Sequence, residues 1–207
     1  MINKYSTILP ILQNLSKQIM GDDFSHGYPH ILRVRKWAQR IVEEEKLGNK
    51  IDGFILEASI LLHDIGRVIG EPHAYYSAIF TEGILRWYGV DQLTINKIKN
   101  VILYHSYSYS RKNNIKPEIV EAYILSDADK LDALGIIGFL RVFHYSWQNN
   151  RSLKDTLNHF YEKILNLKKL MYFEYSRKKA EELTNRILQL LDMLSNELDT
   201  KYFIKQV

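Results

Sequence analysis

A chain of 207 residues with 46% hydrophobic and 25% charged side chains is long enough for one substantial core and too apolar to be disordered. Its net charge of +4 is mild and dispersed, so nucleic acid is not the expected partner. The absence of cysteine excludes disulfides and thiolate ligands and leaves nitrogen and oxygen as donors for any metal.

No apolar run approaches the ~20 residues of a membrane span. The first twenty residues are interrupted by Pro10 and polar side chains and lack a secretory pattern. The expected location is the cytoplasm, with no membrane partner.

The apolar periodicity predicts helices nearly throughout. The first covers 4–19 and is open to a kink at Pro10. The second covers 29–46, with Pro29 in its first turn, an inner stripe of Ile31, Val34, Ala38, Ile41 and Val42, and a stop at Leu47, Gly48 and Asn49. A third, 51–65, is apolar almost all round. Helices over 74–88 and 92–105 are separated at Gly89 and Asp91. The next covers 117–133, from Pro117 to just before Gly135, and an apolar one follows over 135–147. A long closing pair covers 152–172 and 176–198. No element is assigned to 199–207. Strand alternation is not sustained anywhere, so the expected fold is all-α, a compact helical bundle with a C-terminal helical pair.

The third helix poses a chemical question. Phe54, Ile55, Leu56, Ala58, Ile60, Leu61 and Leu62 make it an interior helix, yet it ends in His63 and Asp64. A carboxylate and an imidazole at a buried end are costly unless something pairs with them, and a divalent ion is the simplest partner. Seven histidines are present, and a lone one carries little weight. The company matters more. His30 opens one helix, His63 and Asp64 close another, and Asp129 sits late on a third, largely apolar one. Two imidazoles and two carboxylates suit Mn²⁺, Fe²⁺, Mg²⁺, Ni²⁺ or Zn²⁺.

These pieces, HILRV, LLHDIG and SDADKLDALG, resemble the H…HD…D signature of the HD superfamily of metal-dependent phosphohydrolases. HAYYSAIF, YHSYS and HFYEKILNLKKLM extend the resemblance to one soluble, single-domain branch, from about residue 22 to about residue 190. The resemblance implies a single HD domain over 1–207, with a core at about 22–148 and helices 152–198 packed on it. It implies His30, His63, Asp64 and Asp129 as metal ligands. Asp127 competes for the last place and is otherwise an acceptor behind the ligands or a cap.

The branch usually has His-Asp where this chain has His26-Gly27; the role of that aspartate is then vacant or taken by Asp22 or Asp23. In the related HD-GYP enzymes extra histidines bind a second metal. For His73 and His105 the preferred role here is contact with substrate or with its phosphate.

Phosphoryl chemistry also needs cations for the outer oxygens. Arg33 follows His30 by three residues, Arg67 follows Asp64 by three, and Lys130 adjoins Asp129. His159 and Lys163 stand i, i+4 on a later helix. Asp64, Arg67 and Lys130 are the expected catalytic groups; Arg33, His73, His105, His159 and Lys163 are expected to bind substrate. Arg67 stands where stringent-response guanosine tetraphosphate hydrolases carry Glu-Asp, which points away from that substrate. Tyr107, Tyr109 and Tyr123 could stack a base, but most of the fourteen tyrosines will be packing.

The expected function is hydrolysis of a phosphate ester or anhydride in a small phosphorylated metabolite, a nucleotide by preference. Branch relatives imply nucleoside triphosphate pyrophosphohydrolase or nucleotide phosphatase activity. A cyclic-nucleotide phosphodiesterase, a metal- and nucleotide-binding sensor without turnover and, if His73 and His105 both bind iron, a di-iron oxygenase remain alternatives. A homodimer is left open.

Overall fold

The computed structural model describes residues 5–198, and among them every regular element is a helix. A 3-10 turn, Ser6–Ile8, leads into α1, Leu9–Met20. Pro10 takes the first turn of α1, where its missing N–H costs nothing, so the chain enters a helix at the proline instead of bending in mid-helix. The expected start at residue 4 and the unassigned stretch 199–207 lie outside the described residues.

Next come α2, Tyr28–Glu44, α3, Gly53–Leu62, and a 3-10 turn at Ile65–Val68. Then α4, His73–Trp87, and α5, Gln92–His105, follow. The stretch between 105 and 117, where the sequence predicts no helix, contains a short one, α6, Tyr107–Lys112. α7 runs from Val120 to Asp132 and α8 from Gly135 to Gln148. The helix expected over 152–172 is divided. α9, Leu153–Glu162, gives way at Lys163 (φ −126°, ψ −60°) to a 3-10 stretch, Ile164–Leu170. The Asn166 amide donates back to the Tyr161 carbonyl at 2.9 Å, offering the chain a partner other than the helical ladder. Finally α10 spans Glu174–Leu198. No described helix is long and apolar enough to cross a membrane.

The backbone groups into two compact units, Met1–Asp129 and Lys130–Val207, the boundary falling inside α7. In the first unit α3 is the inner helix: all its residues except Gly53 and Glu57 are buried. It packs on α1, α2 and α5. Asp52 caps it, accepting from the Phe54 amide at 2.8 Å and the Ile55 amide at 3.2 Å. The Asp52 amide in turn donates to Glu121 of α7 at 2.6 Å. Arg35 of α2 pairs with Glu57 of α3 at 2.8 Å. These polar ties link α2 to α3 and α3 to α7; α2 carries His30, α7 carries Asp129, and His63 and Asp64 follow directly on α3.

In the second unit Phe139 and Phe143 of α8 meet Phe160 of α9, with ring centroids 4.9–5.9 Å apart, and α10 packs on α8. A buried ion pair, Arg141 Nη1 to Asp132 Oδ2 at 2.6 Å, closes the end of α7 onto α8.

Candidate metal centre

The centre forms where α3 stops. His63 follows the last residue of α3, and Asp64 leads into the 3-10 turn Ile65–Val68. Both side chains are within 1% of complete burial. The turn packs closely on α4 because Gly66 has no side chain: a Cβ there would strike the His73 carbonyl and the Ser77 amide. The Gly66 amide donates to Ser77 Oγ at 2.8 Å. This close approach brings His73, at the start of α4, beside Asp64.

Three of the imidazoles are aimed by their other nitrogen. His63 Nδ1 is 2.9 Å from the Ile60 carbonyl, and His105 Nδ1 is hydrogen-bonded to the Ile102 carbonyl. His73 Nδ1 contacts the Glu71 carboxylate at 3.0 Å. With Nδ1 donating, Nε2 presents a lone pair inward. His63 Nε2 lies 3.9 Å and His30 Nε2 3.6 Å from Asp64 Oδ2; His73 Nε2 and His105 Nε2 lie 3.5 and 3.7 Å from Oδ1. Asp64 thus stands between two groups, His30–His63–Asp64 and Asp64–His73–His105, in each of which the donor atoms lie within 4.8 Å of one another. His63 Nε2 and Asp64 Oδ1 are buried without a hydrogen-bond partner. Buried polar atoms left so are costly, and a cation among them removes the cost; the donor set, all imidazole and carboxylate, fits a divalent ion.

The other expected site residues divide by location. Asp129 Oδ1 is 3.3 Å from His30 Nε2. Asp127 is wholly buried, and neither it nor Asp129 belongs to the two cation-sized groups. Arg67 Nε donates to Asp64 Oδ2 at 2.6 Å, while its Nη2 lies 3.4 Å from His73 Nε2. Arg33 turns to the preceding loop, donating to the Phe24 carbonyl at 3.1 Å with its guanidinium over the Phe24 ring. Lys130, His159 and Lys163 belong to the second unit. Lys130 is buried, its ammonium 5.1 Å from the centre of the Tyr172 ring. His159 is half-buried; Lys163 is exposed and sits at the break after α9.

The departure at Gly27 has a steric reason. A Cβ at 27 would collide with the backbone of Asp23 and crowd the Gly21 carbonyl. The neighbouring Asp23 accepts from the Ser25 and His26 amides at 2.9 and 2.7 Å, folding the loop that leads to His30. The residue pattern gave no signal for Ser77 or for the Ile60 and Ile102 carbonyls, three residues before His63 and His105. Glu71 carries a weak one, as an acid two residues before a histidine in a turn.

The electrostatics follow from burial and company. Burial pushes the His63 imidazole down to about 3, with His105 and His30 adding to the shift against Asp64 and Asp129. Burial alone raises the Asp64 carboxyl; Arg67, His63 and His105 outweigh it and hold the group well below its ordinary value. Asp129 is likewise lowered, its desolvation overcome by His30 and the other imidazoles. Neutral imidazoles and ionised carboxylates are the forms that bind metal.

An all-helical fold carrying this centre defines a class. The HD domain family model matches residues 27–134, and the chain belongs to the HD domain family, the class of HD-type metal-dependent phosphohydrolases. It is similar to Bacillus subtilis YpgQ, 29% identical over 187 residues that cover 88% of this chain and 89% of that protein. The crystal structure of YpgQ in complex with ADP superposes with a TM-score of 0.73 at 24% identity, covering 92% of this chain and 95% of that one. A Lactobacillus plantarum protein gives a TM-score of 0.80 at 25% identity, with 96% of this chain and 99% of that one covered. An HD-superfamily hydrolase from Bacillus thuringiensis gives 0.66 at 26% identity, with 96% and 100% covered.

Proposed function

We propose that the protein hydrolyses a phosphate ester or anhydride of a nucleotide at the centre around Asp64, using a divalent ion held by His30, His63, Asp64 and Asp129. The observation that carries this reading is the pair of buried, unpartnered donor atoms, His63 Nε2 and Asp64 Oδ1, among imidazoles whose other nitrogens are already engaged.

A bound divalent ion supplies Lewis acidity toward a phosphoryl oxygen and lowers the pKa of water toward ~7. The residues supply the rest. Asp64, ionised and buried, supplies the negative charge that would hold the ion. Arg67 is anchored to Asp64 through Nε, so its two terminal nitrogens can meet phosphoryl oxygens as a fork. His73 and His105 form the wall on the Oδ1 side and contact the phosphoryl group there. Arg33 is a secondary candidate for the rest of the substrate. The nucleotide part of the reading draws on YpgQ, the 29% identical relative, which has been seen in complex with ADP.

The test is a panel of nucleoside mono-, di- and triphosphates and cyclic nucleotides, assayed with Mn²⁺, Mg²⁺, Ni²⁺, Fe²⁺ or Zn²⁺ beside Asp64→Ala. Metal-dependent phosphate or pyrophosphate release that Asp64→Ala abolishes is the expected result. Release that survives the substitution assigns the chemistry elsewhere.

A further inference from the structure

Glu71 lies at the rim of the centre, just before α4, and its carboxylate is committed to the groups that should receive a phosphoryl oxygen. Its Oε2 is 3.0 Å from His73 Nδ1 and accepts from the His73 amide at 3.1 Å; its Oε1 is 3.8 Å from Arg67 Nη1. The side chain is nevertheless 74% exposed. A salt-bridging acid so exposed adds little to stability. What it does add is one negative charge beside the Arg67 fork, on the solvent side.

From this placement we propose that Glu71 is a specificity-determining residue. Its carboxylate stands against the phosphate, so that the site favours a phosphoryl group carrying one negative charge over a terminal phosphate carrying nearly two. The proposal rests on the phosphohydrolase reading and deepens it. A terminal phosphate monoester bears about −1.5 to −2 at neutral pH, whereas an esterified, internal phosphoryl group bears about −1. Repulsion from a carboxylate a few ångströms away scales with that charge, and solvent reduces it without cancelling it. Glu71 therefore weakens binding of inorganic phosphate and of monoesters more than binding of diesters or internal phosphates. It also helps to expel a dianionic product. A purely structural Glu71, needed only to orient His73, makes no such distinction between charges.

Glu71→Gln separates the two roles, because the amide oxygen can still accept from His73 Nδ1 while the charge is gone. The experiment compares wild type, Glu71→Gln and Glu71→Ala, loaded with Mn²⁺. It measures kcat/KM for p-nitrophenyl phosphate and for bis-p-nitrophenyl phosphate, and the affinity for inorganic phosphate by calorimetry. Glu71→Gln should bind phosphate about three- to tenfold more tightly and shift the monoester-to-diester ratio by a similar factor toward the monoester. An unchanged ratio, or phosphate binding that is unchanged or weaker in Glu71→Gln, overturns the role of Glu71. Should neither ester be hydrolysed by wild type, the phosphohydrolase reading fails for such substrates; the phosphate affinities still decide the charge effect by themselves.

Discussion

Asp64 and Asp132 are carboxylates of nearly equal burial, at 1% and 2% exposed, one in each compact unit. Each meets an arginine at 2.6 Å. Their further surroundings differ. Arg141, which meets Asp132, is itself almost buried, with its side chain 10% exposed. Arg67 reaches Asp64 from a rim position, 28% exposed, and leaves Oδ1 facing imidazoles with no hydrogen bond. A buried carboxylate closed by a buried partner is a structural tie. One left with a buried lone pair among aligned imidazoles is a candidate cation ligand, because a cation placed there would recover its unmet cost. The contrast makes the two pairs respond differently to the same kind of substitution.

The largest effect should come from Asp64→Ala, which removes the carboxylate shared by both cation-sized groups. Metal-dependent turnover should fall by a factor on the order of 10³ or more, about 4 kcal/mol of barrier. Mn²⁺ binding followed by calorimetry should be lost, with little loss of the denaturation midpoint measured without metal. An Asp64→Ala protein that still binds Mn²⁺ but unfolds early would make Asp64 a tie like Asp132.

Arg141→Ala should show the reverse. Leaving Asp132 buried without its partner costs roughly 3–5 kcal/mol in urea denaturation. Metal affinity per folded molecule should stay within a few-fold of wild type. Loss of Mn²⁺ binding at a concentration of urea where the protein is still folded would dissolve the distinction.

Acid should act first on the Asp64 side. His63 titrates near 6.5 when unfolded and near 3 when folded, so above pH 6.5 both forms are neutral and nothing changes. Below it the unfolded chain takes up a proton that the buried imidazole refuses, and stability declines until the folded value is reached. The loss should be roughly 2–3 kcal/mol by pH 4.5, and His63→Gln should flatten that slope. A stability curve level from pH 7 to 4.5 in the wild type contradicts the burial of a neutral imidazole. Below the ordinary carboxylate range Asp64 and Asp129, whose folded values are lowered, add their own losses as they protonate.

The smallest expected change sharpens the comparison at its edge. Gly27→Asp, which restores the residue usual in the branch, should destabilise by about 1–3 kcal/mol, because its Cβ meets the Asp23 backbone. Thermal unfolding measures it. A stabilised variant with raised turnover would mean that the loop yields and the missing carboxylate is wanted.

Local chemistry made much of this legible in the chain itself. The all-round apolar run of α3 required burial, its terminal His63 and Asp64 required a partner, and the want of cysteine restricted that partner's ligands to nitrogen and oxygen. Period and punctuation likewise determined the helical class, since each helix writes its own face and stops within a few residues. Where competing bonds are spread over several residues, local reading failed: the break at Lys163 depends on an Asn166 side chain reaching back to Tyr161, and α6 forms in a segment with no apolar period. Only the tertiary structure decided which histidines converge, that Gly66 lets α4 approach the turn, that Gly27 leaves no room for a side chain, and that Glu71 overlooks Arg67. Those facts depend on distances between segments far apart in the chain, and a distance of that kind is created by packing, which no single stretch of residues encodes.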